Sequence, residues 1–115
     1  MVIEDDQDIQ NLLVLILNLA GFNVQAEAAG NGGLLAAQKL TPSLITLDLG
    51  FPDQDGHDVA VQIRKLTQAP LVVITAFADS DAELASMPSG ATAYLAKPFR
   101  AARLRELIDQ LFSPQ

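Results

Sequence analysis

Ser43-Leu44-Ile45-Thr46-Leu47-Asp48 is a short apolar run that ends on a carboxylate, with the turn formers Gly50 and Pro52 close behind. Three other runs share that design. Val2-Ile3 leads into Glu4, Asp5 and Asp6, Leu71-Val72-Val73-Ile74 into Thr75, and Ala93-Tyr94-Leu95-Ala96 into Lys97-Pro98. Apolar runs of this length, separated by helix-like stretches, read as buried parallel strands. In an open α/β sheet, ligands bind beyond the carboxyl ends of the strands. The same edge would therefore gather carboxylates, a hydroxyl and an ammonium.

Between the runs the periodicity changes. Asp6 is an N-cap candidate for a helix to about Ala20, with Gly21 as its stop signal. Ile9, Leu13, Ile16, Leu17 and Ala20 follow helical spacing and should face the core. Val14, Leu15 and Leu19 widen the apolar arc. Deep packing between neighbouring elements is the expected reason, and a partner-binding patch is the alternative. Phe22 to Ala26 reads as a second strand, and Gly30, Gly32 and Gly33 open a helix to Leu40. Further helices are expected over about 57–66, 80–87 and 100–112, with 113–115 as a trailing linker. The order is β-α repeated five times, which predicts a parallel sheet covered by helices on both faces. The first run has about three residues ahead of its acids. Strands usually have about five or six, so the N-terminus is expected to be clipped.

At 115 residues the chain is one domain with room for a single core. Half of its residues are apolar and 18% are charged, the balance of a globular protein. It has no cysteine, which removes disulfides, thiolate zinc sites and thiol nucleophiles and is compatible with a cytoplasmic location. Leu12 to Leu17, the longest apolar stretch, is too short for a membrane span. Net charge is −7, and residues 1–63 hold nine acids against one base, Lys39. That half is unsuited to gripping nucleic-acid phosphates and suited to a cation.

Glu4, Asp5 and Asp48 would lie close together if their strands are neighbours. Clustered carboxylates raise one another's pKa unless a cation intervenes. An oxygen-only ligand set favours a hard ion, best Mg²⁺. Asp48, at the end of the central run, can attack a phosphoryl group to form an acyl phosphate. Lys97 supplies a positive charge for a phosphoryl oxygen, and proline after it makes a cis peptide bond possible. Thr75 offers a hydroxyl at a strand end.

Taken together, Ile3-Glu4-Asp5-Asp6, Leu47-Asp48-Leu49-Gly50-Phe51-Pro52-Asp53-Gln54-Asp55-Gly56, Val73-Ile74-Thr75-Ala76 and the segment Gly90 to Phe99 resemble the receiver domain of two-component response regulators. The resemblance covers the whole chain, with residues 1–112 as the receiver domain. It implies a flavodoxin-like, doubly wound (βα)5 fold with strand order 2-1-3-4-5. It also implies a signalling module rather than an enzyme, in which Asp48 accepts a phosphoryl group from a histidine kinase or phosphotransfer protein. Asp5, Asp48 and the Gly50 backbone carbonyl would bind Mg²⁺ directly, and Glu4 mainly through water. Thr75 and Lys97 match the switch hydroxyl and the phosphate-contacting lysine, and Tyr94 the aromatic that turns inward on activation.

Two departures bear on assembly. Thr92-Ala93 stands where paired aspartates usually precede the tyrosine, and Arg103 and Leu107 stand where an acid and a base are usual. The charge network for dimerising through the last helix is therefore expected to be absent, leaving the first helix as a candidate homodimer surface. Two other functions compete. One is a degenerate receiver that only binds proteins. The other is a phosphohydrolase of the haloacid-dehalogenase type, which wants an acid where Gly50 stands.

Overall fold

The computed structural model describes residues 1–39, 42–48, 56–75 and 92–112, with the side chains of Asn31, His57 and Thr75 outside that description. Five strands, β1 (Val2–Ile3), β2 (Ala26–Glu27), β3 (Ile45–Asp48), β4 (Leu71–Thr75) and β5 (Ala93–Ala96), form one parallel sheet in the order β2-β1-β3-β4-β5. The described helices are α1 (Gln7–Leu19), α2 (Gly30–Lys39), α3 (Gly56–Leu66) and α4 (Ala101–Leu111). Strand order reverses between β1 and β3, the switch point where sheets of this kind place their ligands. The helix expected over 80–87 and the linker at 113–115 lie outside the described residues.

Side chains alternate across each strand, so successive residues serve different faces. Ile3, Leu47 and Val73 pack with Leu34, Val59 and Ile63 of α2 and α3. Val2, Val72 and Ile74 pack with Leu13, Leu17, Leu104 and Ile108 of α1 and α4. Near-complete burial of β3 and β4 on both sides explains why they read as continuous apolar runs.

Asp6 caps α1 as expected, its Oδ1 accepting from the Ile9 N–H at 3.0 Å, and Gly21 follows the helix at φ +100°. Two expectations need correction. The second strand is Ala26–Glu27, not Phe22 to Ala26, because register with β1 starts at Val2↔Ala26. The apolar arc of α1 is not wholly buried either. Val14 packs against the core, but Leu15 is 56% and Leu19 72% exposed.

Two adjacent glycines make opposite contacts. A Cβ on Gly33 would lie 2.6 Å from Ile3 Cδ1 and 2.9 Å from Cγ1, inside the core. A Cβ on Gly32 would meet Glu27 Oε2 at 2.8 Å, the free end of a side chain that can swing aside. Alanine gains about 1 kcal/mol over glycine in a helix, whereas overpacking a stiff buried neighbour costs about 1–3 kcal/mol. Gly32→Ala should therefore raise stability and Gly33→Ala lower it in urea unfolding, with Ile3→Val partly restoring the second variant.

Candidate functional site

The carboxyl ends of β1, β3 and β5 converge at one edge of the sheet. Asp48 closes β3, and Lys97 follows β5 across a cis Lys97–Pro98 peptide bond. Lys97 Nζ donates to Asp48 Oδ2 at 2.8 Å and stands 3.5 Å from Glu4 Oε1. One carboxylate oxygen from each of Glu4, Asp5 and Asp48 falls within 4.8 Å of the others. Glu4 and Asp48 are buried and Asp5 is exposed, so the cluster opens to solvent on the Asp5 side.

Local bonds fix Glu4 from two directions. Its Oε2 accepts from the Asp6 N–H at 3.2 Å, and its backbone carbonyl accepts from Gln10 Nε2 at 3.0 Å. The first joins the end of β1 to the cap of α1, and the second joins it to the first turns of that helix. Gln10 was not singled out from the sequence, because a glutamine on a helix gives no pattern that marks its partner. Glu4 Oε1 is buried with the Lys97 ammonium 3.5 Å away and, among the described residues, no hydrogen bond of ordinary geometry.

Burial pushes the Glu4 carboxyl up to about 8. The adjacent Asp48 adds to the rise, while the Asp6 N–H and the Lys97 ammonium oppose it. Burial acts downward on the Lys97 ammonium, but its bonds to Asp48 and Glu4 outweigh that and hold it above its ordinary value. Without a cation, then, the site neutralises itself partly by keeping a proton on Glu4.

These features fit a hard divalent ion. The donors are all oxygens, one buried oxygen has no hydrogen bond among the described residues, and their spread is close to the about 4.2 Å across an octahedral Mg²⁺ shell. Thr75 closes β4 beside Ala96 of β5, which puts its backbone at the same edge. Tyr94 is half-buried against the core under α2 and α3. Gly50 lies outside the described residues. An aspartate held by a lysine, beside further carboxylates able to take a cation, has the groups that phosphoryl transfer needs.

Known proteins resemble this chain in sequence and fold. The family model of the response regulator receiver domain matches residues 1–109. The transcriptional regulatory protein KdpE of Mycobacterium tuberculosis is 36% identical over 99 residues, covering 86% of this chain and 44% of the relative. The chain spans about half the length of the curated relatives it matches. A CheY-like response regulator receiver domain protein from Methanospirillum hungatei superposes with a TM-score of 0.86 at 26% identity, over 96% of this chain and 89% of that one. The response regulator TrrA from Thermotoga maritima, solved in complex with Mg²⁺-BeF, gives 0.83 at 28% identity over 96% of both chains. With the sheet order, the acidic edge and a family match that runs into α4 as far as residue 109, this chain belongs to the response regulator receiver domain family.

Proposed function

We propose that this chain receives a phosphoryl group on Asp48 from the phosphohistidine of a histidine kinase or phosphotransfer protein and relays it as a change of surface. The observation that carries the reading is Asp48 Oδ2 bonded to Lys97 at 2.8 Å beside the oxygens of Glu4 and Asp5.

An Asp48 oxygen attacks phosphorus and the phosphorus–nitrogen bond breaks. Its electron pair stays on the imidazole nitrogen, which takes up a proton. The Lys97 ammonium, already at the carboxylate, moves to an oxygen of the added group. Asp5, Asp48 and the Gly50 carbonyl are the proposed direct ligands of Mg²⁺, with Glu4 acting mainly through water. Bound there, the ion would screen the approach of two anions and hold phosphoryl oxygens. The added group brings roughly one to two negative charges. The Thr75 hydroxyl is the proposed responder, and Tyr94 turns into the space it leaves, remodelling the surface around 79–97.

A second copy is the proposed partner for the outer face of α1. Leu12, Leu15 and Leu19 are exposed there at spacings of three and four, on a helix whose single charge is Asp8. The DNA contacts of a full-length regulator are assigned to other segments, because this domain's first half is acidic.

Beryllofluoride with Mg²⁺ should shift amide resonances of the β3, β4 and β5 ends in the wild type and leave Asp48→Asn unchanged; acetyl phosphate should add one phosphoryl mass to the wild type alone. A wild type that never gains that mass would defeat the proposal. Leu15→Asp combined with Leu19→Asp should weaken self-association in sedimentation without altering the beryllofluoride response.

Stability of the metal-free protein should also depend on pH. Between 4.5 and about 8 the folded chain keeps a proton on Glu4 that the unfolded chain has lost. Stability is therefore highest below that window and falls as pH rises through it. Melts in EDTA should show this slope flattened in Glu4→Gln, and Mg²⁺ should stabilise the wild type more at pH 8 than at pH 5.

A further inference from the structure

Asp5 is the exposed carboxylate of the acidic cluster, and among the described residues its side chain makes no hydrogen bond or ion pair. The direction of that carboxylate is therefore decided by the peptide units on either side of Asp5. Each unit is a rigid plane, so a bond to it restricts the backbone at Asp5. Both units are held. Glu4 Oε2 accepts from the Asp6 N–H at 3.2 Å, which fixes the unit from Asp5 to Asp6. The Glu4 carbonyl accepts from Gln10 Nε2 at 3.0 Å, which fixes the unit from Glu4 to Asp5.

The start of α1 delivers Gln10 to that carbonyl. Asp6 caps the helix, and its own carbonyl accepts from the Gln10 N–H at 2.8 Å, so Gln10 stands one turn above the cap. Side chains on a helix lean toward its N-terminus, which brings the Gln10 amide back to Glu4. A neighbour orients the amide. Gln7 Nε2 donates to Gln10 Oε1 at 3.2 Å and to Asn11 Oδ1 at 2.8 Å, which leaves Gln10 Nε2 facing the Glu4 carbonyl. Gln7 is exposed and Gln10 half-buried, so a row of amides runs from solvent to the peptide that carries Asp5.

We propose that Gln10 is a positioning residue for the acidic edge, holding Asp5 in the geometry that favours Mg²⁺ over larger cations. The role presupposes the Mg²⁺ site proposed above. Mg²⁺ demands a near-ideal octahedron at short distances, whereas Ca²⁺ accepts about six to eight oxygens in flexible arrangements. A ligand pinned through both neighbouring peptides cannot drift outward to suit the larger ion. A ligand released at one of them can. Groups that orient a metal ligand are worth about 10–100-fold in affinity. Gln10 bonds the backbone of the ligands and none of their carboxylates, so its contribution lies in which ion is held and how tightly.

Titrations of the chain with Mg²⁺ and with Ca²⁺, followed through the amide resonances of Asp6 and Asp48, test the role. Gln10→Met keeps side-chain length, helix propensity and charge and removes the donor. It should weaken Mg²⁺ binding about tenfold and Ca²⁺ binding by about twofold at most, a change of preference that a mere loss of stability would not produce. Gln7→Met, which removes only the group that orients the amide, should fall between the wild type and Gln10→Met. Asp8→Asn alters charge beside the site and should weaken both ions alike. Unchanged Mg²⁺ affinity in Gln10→Met, or equal weakening of both ions, overturns the role and leaves the Mg²⁺ site standing. So does a preference that moves as far in Asp8→Asn, because charge rather than geometry would then set it. A wild type that binds neither ion overturns the site and the role together.

Discussion

Five strands run in one direction, and the chemistry of this protein depends on that constraint. Parallel pairing aligns every carboxyl end on one edge, so Glu4, Asp48 and Lys97, separated by up to 93 positions, meet within 2.8 to 3.5 Å. The pairing is local in register but distant in sequence. Each strand owes its place to neighbours brought in by a helical crossover, and the helices are held by the two apolar faces of the sheet.

Much of this was legible in the residues. The runs at 44–47 and 71–74 are almost wholly apolar because they are buried on both faces, and that pattern is written without tertiary information. The strand order came with the family resemblance, since periodicity alone does not order parallel strands. The second strand was misplaced because a short edge strand takes its limits from its partner's register, not from its own composition. Leu15 and Leu19 were expected to pack, yet no neighbouring element covers that side of α1 among the described residues. Apolar character marks which side chains favour burial, not whether a neighbour arrives.

At the site, the cluster of carboxylates was readable from their positions after apolar runs. Its inner electrostatics were not. Full burial of Glu4 follows from the helix that its own Asp6 caps and that Gln10 ties back to its carbonyl. Burial and the neighbouring Asp48 carboxylate, against the pull of the Asp6 N–H, then keep a proton on Glu4.

The cover over Asp48 has a temporal meaning. Its side chain is 8% exposed, with Lys97 across one oxygen. On the function proposed above, water would have to reach an acyl phosphate at this buried carboxylate, beside the lysine that already holds one of its oxygens. The packing around that carboxylate would thus act as a clock, setting how long a message persists after its sender has gone.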